Sequence, residues 1–368
     1  MRIGSTEAHC PRKQEKGRPM SIRLEFLLIA ALALGCASTQ PGRQNTTHTR
    51  ATDKPTREGL WQIRDTRLFV RDVGPLDAPV LVVVHGGPGG NHRSQLPLEA
   101  LAPEFRVVSY DQRGTGESDR FDVPLPELQK LLTLEENVED LEALRVRLGR
   151  ERISVIGHSW GGALATFYAA TYPESIDKLI VYSGGPEDKS LLAQKKTAHR
   201  AKMTTGELSA MASGKAALEA AMDRGVDGNE LDRLFVDFVL PLLPSLYCKR
   251  PPAPARSEVG RGGFWANQIA GRYIESLDRS ALAKKLGRLA APTLLIWGRC
   301  EPSPRERLTG LLDAIPDAQF VQFEQSGHNA MEEEPELFFS TLRAFLSGKS
   351  LPMVAHRSRE SLPPLKTP

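Results

Sequence analysis

A serine flanked by two glycines, in the pentapeptide Gly157-His158-Ser159-Trp160-Gly161, constrains this chain more than any other feature. The mostly apolar run 152–156 before it predicts a buried strand, and the run 162–170 after it predicts a helix. A serine at such a sharp strand-to-helix turn needs glycines nearby, because the turn leaves no room for Cβ atoms two residues away on either side. The start of the helix then places backbone N–H groups beside the serine oxygen. We therefore interpret Ser159 as a candidate nucleophile.

Strand and helix patterns alternate along most of the chain. Apolar, β-branched runs at 79–84 and 105–110 are typical of strands buried on both faces. Residues 133–148 have helical spacing and begin with a capping box. Further strands are predicted within 61–70, where two are joined by a short turn, and at 179–183, 292–298 and 319–323. This alternation predicts an α/β fold with a mostly parallel, eight-stranded sheet flanked by helices, and with a helical cap inserted after strand 6.

These patterns divide the chain into consecutive segments. We predict a signal peptide, a flexible tether, a first part of the α/β core, the helical cap, a second part of the core and a disordered tail. In that order they cover residues 1–35, 36–58, 59–186, 187–290, 291–348 and 349–368. The tether is assigned because it is rich in Thr, Gln, Asn and Pro and has no apolar periodicity.

The N-terminus has the pattern of an export signal. Arg23 precedes the apolar stretch 26–34, which is far shorter than the ~20 residues that span a bilayer but is typical of a signal peptide. Small residues before Cys36 resemble the lipobox of bacterial lipoproteins, in which the cysteine is lipidated. The sequence therefore predicts a cell-envelope protein, periplasmic or on the cell surface, anchored to a membrane through Cys36. A plain secretory signal is the alternative, and Met20 is a second candidate start.

Charge and cysteine content exclude other classes of protein. Residues 1–35 carry the whole net charge of +3 and the rest has 42 basic and 42 acidic residues, so no nucleic-acid-binding surface is indicated. Cys248 and Cys300 lie beyond the signal region and form no metal-ligand cluster, and their spacing leaves open whether they pair. We expect neither a metal nor an organic cofactor.

A nucleophilic serine needs a base to take its proton and a carboxylate to hold the base. In sheets with such an elbow the acid and then the histidine follow the serine along the chain. His328 fits the base, because it lies in a loop between a predicted strand and the last helix. Glu301 fits the acid, three residues after the glycine that ends a strand. Glu187 or Asp188, after the sixth strand, are the alternative acids.

The glycine-rich run His85-Gly86-Gly87-Pro88-Gly89-Gly90 directly follows a buried strand. Glycines let the backbone approach a substrate and direct an N–H group at a developing oxyanion. We assign the two N–H donors of the oxyanion hole to Gly87 and Trp160, and expect Gly86 and Pro88 to border the substrate. The turn 111–118, Asp-Gln-Arg-Gly-Thr-Gly-Glu-Ser, is interpreted as structural, with Arg113 supporting the site through hydrogen bonds.

In combination, the runs 85–89, 111–118 and 157–162 resemble the α/β-hydrolase superfamily and, more narrowly, its proline iminopeptidase branch. The resemblance covers residues 60 to about 346, interrupted by the cap. It implies an α/β-hydrolase fold and the removal of an N-terminal residue, often proline, from peptides. His158 stands where those enzymes usually have Gly, and Glu301 where they have Asp. Their caps present glutamates to the substrate amine; Glu258 and Glu275 are the nearest candidates here, and we expect both to be surface charges.

The sequence thus predicts a serine hydrolase acting on a small peptide or ester, with no nucleic-acid partner. An aminopeptidase of the proline iminopeptidase type is the first expectation. An esterase, lactonase or amidase for small apolar acyl substrates is the alternative within the enzymes. A non-catalytic binding protein of the envelope that keeps the fold is a further alternative.

Overall fold

The computed structural model describes residues 56–251 and 263–364 and is built on one eight-stranded sheet. The strands are β1 (Thr56–Ile63), β2 (Thr66–Val73), β3 (Val80–Val84), β4 (Arg106–Tyr110), β5 (Ile153–His158), β6 (Ile176–Tyr182), β7 (Thr293–Gly298) and β8 (Ala318–Phe323). Their spatial order is β1-β2-β4-β3-β5-β6-β7-β8. The pairs β1–β2 and β2–β4 are antiparallel, and the remaining neighbours are parallel. The predicted α/β fold with a mostly parallel sheet is therefore confirmed.

The strand β3 is apolar at every position because helices cover both faces of the sheet. In β3, Val80, Val82 and Val84 pack into one apolar cluster, whereas Leu81 and Val83 pack into the cluster on the opposite face. Successive side chains of a strand point to opposite faces, so a strand covered on both sides buries apolar side chains on both faces.

Helices form the layers above and below the sheet. They are α1 (Leu125–Leu131), α2 (Leu134–Arg147), α3 (Trp160–Thr171), α4 (Lys189–Lys202), α5 (Thr205–Arg224), α6 (Gly228–Val239), α7 (Phe264–Ala270), α8 (Tyr273–Ser276), α9 (Arg279–Leu286), α10 (Glu306–Ala314), α11 (Ala330–Glu333) and α12 (Pro335–Leu346), with 3₁₀ helices at His92–Leu101, Pro173–Ser175, Leu240–Leu246 and Arg359–Ser361. α2, α3, α9 and α10 pack on one face, and α12 with the first 3₁₀ helix packs on the other.

The segment between β6 and β7 contains the helices α4 to α9. α5, α6 and the 3₁₀ helix Leu240–Leu246 share an apolar cluster of their own, which includes Leu218 and Phe235. α9 packs on the sheet, because Leu282 and Leu286 belong to the core cluster there, as do Leu192 of α4 and Ile274 of α8. The range 187–290, which the sequence placed in the cap, therefore also packs against the core.

Two predicted boundaries need correction. Residues 56–58, placed in the tether, are the start of β1 and pair with β2; Arg57 is fixed there by an ion pair with the buried Asp72. Residues 349–364, placed in a disordered tail, return to the sheet: His356 and Phe320 exchange backbone hydrogen bonds of 2.8 Å, and Leu351 packs against the core. The tail covers the edge of β8, whose unpaired backbone groups need partners.

Within the two described ranges, no helix combines the length and the apolar character needed to cross a bilayer. The predicted signal peptide and Cys36 lie outside the described residues.

Candidate active site

The serine lies on a strained turn between β5 and α3. Ser159 has φ 56° and ψ −119°, a backbone conformation that is uncommon for any residue other than glycine. A Cβ atom on Gly157 would lie 2.1 Å from the Gly161 carbonyl oxygen, and one on Gly161 would lie 2.1 Å from the carbonyl oxygen of Val84. Both glycines are therefore needed for the close approach of β3, β5 and α3. A third glycine, Gly184, packs against the Ser159 backbone and was not singled out from the sequence.

His328 lies in the loop between β8 and α11, with only 3% of its surface exposed. Its Nδ1 is 2.5 Å from Oε2 of Glu301. Its Nε2 is buried and has no hydrogen-bond partner within the described part of the chain. The His328 ring lies 4.9 Å from the ring of His158, the residue that precedes Ser159. The structure thus places His328 beside the serine turn and in contact with Glu301.

Glu301 follows β7 and is 8% exposed. Burial alone would raise the pKa of this carboxyl, but the charge of His328 and the hydrogen bond from it hold the pKa well below its usual range. The other carboxylate oxygen accepts a hydrogen bond of 2.9 Å from the Ser303 backbone N–H. Glu301 is therefore ionised and oriented at neutral pH.

The alternative acids have other partners. Oε1 of Glu187 is 2.5 Å from Nζ of Lys195 on α4, and Oε2 is 3.5 Å from Nε of Arg307 on α10. Asp188 caps α4 by accepting a hydrogen bond from the Leu191 N–H. Of the three candidate acids, the structure brings Glu301 to the histidine.

The glycine-rich loop after β3 connects the serine turn to the cap. Gly87 has φ 130° and its peptide bond to Pro88 is cis. A Cβ on Gly87 would lie 2.6 Å from the backbone nitrogens of Gly89 and Gly90, so only glycine fits. The Pro88 carbonyl accepts a hydrogen bond of 2.9 Å from the side chain of Asn267 on α7. Through Pro88, the loop that carries Gly86 and Gly87 is therefore held against the cap.

Gln112 joins the two walls of the predicted oxyanion hole. Its Oε1 accepts a 2.9 Å hydrogen bond from the indole N–H of Trp160, and its Nε2 donates to the His85 carbonyl at 2.9 Å. His85 and Trp160 belong to the two segments that carry the predicted N–H donors. The sequence contained Gln112 within a recognised turn but gave no sign of this bridge, because both partners come from distant parts of the chain.

Arg113, the next residue, supports a helix rather than the site itself. It is 1% exposed, and its guanidinium binds Asp140 of α2 at 2.6 and 2.8 Å and Asp65 at 2.9 Å. It also donates to the Leu131 carbonyl at 2.8 Å. Its hydrogen bonds therefore brace α2 and the turn after β4.

A disulfide joins the cap to the loop after β7 that carries Glu301, called the acid loop below. Cys248, just after the 3₁₀ helix Leu240–Leu246, is bonded to Cys300, with the two Cα atoms 5.1 Å apart. Nζ of Lys202 on α4 donates to the carbonyls of Cys300 and Tyr247 at 3.0 and 3.1 Å. The pairing that spacing had left open is thus present, immediately before Glu301.

The cap residues considered for binding a substrate amine are placed differently from one another. Glu275 on α8 is exposed to solvent, as expected for a surface charge, and Glu258 lies outside the described residues. Asp232 of α6, which the sequence did not single out, is buried, but its carboxylate binds Arg120 at 2.8 Å and the Phe264 N–H at 2.7 Å.

Residues 79–205 match the protein family described as alpha/beta hydrolase fold. A proline iminopeptidase of Heyndrickxia coagulans is 26% identical over 274 residues, which make up 73% of this chain and 90% of the relative. A proline iminopeptidase of Lactobacillus helveticus is 29% identical over 308 residues, 78% of this chain and 97% of the relative. The crystal structure of proline iminopeptidase from Mycobacterium smegmatis superposes with a TM-score of 0.54 at 24% identity, covering 79% of this chain and 98% of that chain.

Proposed function

We propose that this chain, which matches the alpha/beta hydrolase fold family over residues 79–205 and is similar to proline iminopeptidases, is a serine hydrolase in which Ser159, His328 and Glu301 form and break an acyl-enzyme. The observation that best supports this proposal is the bonding of the His328 ring. Its Nδ1 is bound to an ionised carboxylate, and its Nε2 is buried without a partner among the described residues. Buried polar atoms without partners are rare, and a free nitrogen is what a general base needs. Hydrogen bonds between nucleophile and base are often formed fully only in the substrate complex.

In the proposed reaction, Ser159 Oγ attacks the carbonyl carbon of the substrate while His328 Nε2 takes the hydroxyl proton. The imidazolium formed is stabilised by Glu301 at Nδ1, as in other Ser-His-acid sites. The N–H groups of Gly87 and Trp160 stabilise the oxyanion; one such donor is worth about 2.7–4 kcal/mol in the transition state. His328 then gives the proton to the leaving group, and water releases the acyl group by the reverse sequence.

The substrate is a short peptide with a free N-terminus, from which the enzyme releases the first residue. This step of the proposal rests on the similarity to proline iminopeptidases over most of the chain. It requires a carboxylate that accepts the substrate ammonium group, and we assign that role to no described residue.

An ester or amide without a cationic amine is the second candidate substrate. The observation in its favour is Lys202 on α4, whose Nζ donates to the carbonyl of Cys300, the residue directly before Glu301. An ammonium group so near the acid repels a substrate ammonium group and favours a neutral or anionic substrate.

A comparison of three substrates distinguishes the two candidates. A prolyl arylamide with a free amine, the same arylamide with an acylated amine and a short-chain aryl ester are assayed with the purified protein. Turnover of the first that is abolished by acylation supports the aminopeptidase. Turnover of the ester alone overturns the peptidase assignment and keeps the serine hydrolase.

Matched variants test the assignment of the residues. Ser159→Ala abolishes acyl-enzyme formation, and Glu301→Gln lowers kcat by about 10⁴-fold because the imidazole loses the carboxylate that fixes its tautomer and stabilises the imidazolium. Glu275→Gln, the same change at an exposed site on the cap, leaves both kcat and KM unchanged. Undiminished turnover by Ser159→Ala would overturn the proposal.

We also propose that the protein is exported and lipid-anchored at Cys36, because of the lipobox-like residues before it. Intact mass of the protein from the membrane fraction should show an acyl modification that is absent in Cys36→Ser. A mature wild-type protein of unmodified mass contradicts the anchor.

A further inference from the structure

His158 occupies the last position of β5, directly before the serine, and is 1% exposed. Its ring is stacked on Tyr182, with centroids 4.4 Å apart and planes inclined by 28°. On another side it meets the His328 ring at 4.9 Å. The imidazole therefore fills the space between the strand that carries the serine and the loop that carries the base.

The hydrogen bonds of His158 define the state of its ring. Nε2 is 3.1 Å from the backbone carbonyl oxygen of His328, and a carbonyl can only accept, so Nε2 carries the proton. Nδ1 is 3.3 Å from the side-chain nitrogen of Gln95, which can only donate, so Nδ1 accepts. Both contacts are satisfied by one neutral tautomer. Burial, with a further contribution from His328, lowers the pKa of His158 to about 3, which agrees with a ring that stays neutral.

The backbone and ring of His328 are fixed from three directions. Its N–H donates to the carbonyl of Leu246 in the cap at 2.7 Å, its Nδ1 is bound to Glu301, and its carbonyl accepts from His158. The first two contacts come from the cap and the acid loop. The third comes from β5, the strand that ends at Ser159.

The contact with β5 matters because the sheet connects the serine to the base only indirectly. β5 and β8 are separated by β6 and β7, so the end of β5 and the loop after β8 are not joined by direct backbone pairing of the two strands. Misplacing a reacting group by about 1 Å can cost about 100-fold in rate. The hydrogen bond from His158 to the His328 carbonyl links the two directly.

We propose that His158 is a positioning residue, which holds the backbone of His328 in register with Ser159. The hydrogen bond from Gln95 to Nδ1 of His158 keeps the His158 ring protonated at Nε2. The inference rests on the proposed function, since it assigns a role in placing the base of that reaction. His158 does not touch the reacting atoms; it acts through His328.

Two substitutions at His158 separate positioning from packing. The amide nitrogen of glutamine reaches about as far as imidazole Nε2, so His158→Gln can still donate to the His328 carbonyl, whereas His158→Leu fills similar space without a donor. We expect His158→Leu to lower kcat by about 10–100-fold with little change in KM. We expect His158→Gln to retain most of the wild-type kcat. Equal kcat in all three proteins, or equal losses in both variants, would overturn the proposal.

The comparison of kcat with KM supplies a readout that loss of folded protein does not move. A merely structural defect lowers the active fraction, whereas a misplaced base lowers kcat per active site at nearly constant KM. We expect this pattern in His158→Leu and its rescue in His158→Gln. Rates are normalised by active-site titration with a serine-reactive fluorophosphonate, so that a smaller active fraction is not counted as a slower enzyme.

Two further measurements keep the proposal testable if the leucine variant does not fold or the wild-type protein has no turnover. Gln95→Leu leaves His158 in place but removes the donor to Nδ1, and should give a smaller loss of kcat in the same direction. ¹⁵N NMR of the histidine rings of the wild-type protein should show His158 neutral and protonated at Nε2. A charged ring, or one protonated at Nδ1, would overturn the proposal without any assay of activity, whereas absent turnover with the expected tautomer would overturn only the proposed function.

Discussion

Reduction of the Cys248–Cys300 disulfide should destabilise the protein strongly while altering the chemistry little. The bond closes a loop across a sequence separation of 52 residues, which by loop-closure entropy contributes about 4 kcal/mol to the free energy of unfolding. With a denaturant slope of about 3 kcal/mol per M of urea, its loss lowers the unfolding midpoint by about 1.3 M.

Activity should respond less than stability, because the acid loop has other attachments. The Cys300 N–H donates to the Ser326 carbonyl at 2.9 Å, and the Cys300 carbonyl accepts from Lys202 at 3.0 Å. These hydrogen bonds survive reduction and keep Glu301 in place. At temperatures where the reduced protein remains folded, we therefore expect kcat/KM close to that of the oxidised protein.

The assay compares urea unfolding with and without reductant in a protein whose Cys10 and Cys36 are replaced by Ser, and thiol titration counts the reduced cysteines. The double variant Cys248→Ala with Cys300→Ala is the matched control. Its urea unfolding midpoint should equal that of the reduced protein and should not change when reductant is added. Two free thiols before reduction would contradict the bond. Complete reduction without a shift of the midpoint would refute the loop-closure reasoning.

Two further predictions concern buried polar groups. Gln112→Leu removes the hydrogen bonds that link Trp160 to His85 and should lower kcat by about 10–100-fold with KM nearly unchanged. The loss of kcat should be comparable to that in Trp160→Phe. A raised KM at constant kcat would contradict this prediction. Burial raises the pKa of Glu332 from 4.5 to about 7. The stability contributed by that carboxyl is fully present below pH 4.5 and is lost as pH rises through 7. Glu332→Gln still accepts the hydrogen bond from Tyr247. This variant should therefore increase the free energy of unfolding by about 1–3 kcal/mol at pH 8.5 and not at pH 4.5. Urea unfolding at both pH values measures this, and an equal effect at both would refute it.

The sheet and the serine turn could be predicted because their signals are local. Continuous apolar runs mark strands covered on both faces, and the spacing of Gly157 and Gly161 around Ser159 marks a turn without room for Cβ atoms. Each of these features depends on a few consecutive residues. Their order along the chain then implies a mostly parallel sheet.

The choice between Glu301 and Glu187 could not be made with the same certainty, because both follow strands that are neighbours in the sheet. The two carboxylates differ in the side chains that contact them in the folded protein. Lys195 and Arg307, from elements on either side of β7, surround Glu187, while His328 reaches Glu301. Partners so far apart in sequence leave no pattern in a single chain.

The tail illustrates a second kind of failure, in which composition suggests the wrong state. Residues 349–364 look polar and irregular, yet Leu351 and Met353 pack on the core and His356 pairs with β8. A backbone pairing at a single residue leaves no periodic pattern in the sequence from which it could be predicted. The requirement for it comes from the open edge of β8, which is known only once the strand order is known.

The contacts of the base loop, the segment between β8 and α11 that carries His328, tie the cap to the base of the proposed reaction. The Leu246 carbonyl accepts the His328 N–H, and a Cβ on Gly327 would lie 2.2 Å from the same oxygen. Glu333 accepts from the Cys248 N–H at 2.7 Å and from the Gly327 N–H at 2.6 Å, and so joins the cap to the base loop a second time. At this end the cap cannot lift without moving His328. Changes that displace the Leu246 carbonyl should therefore alter kcat, whereas changes in a lid that only admits substrate would alter KM.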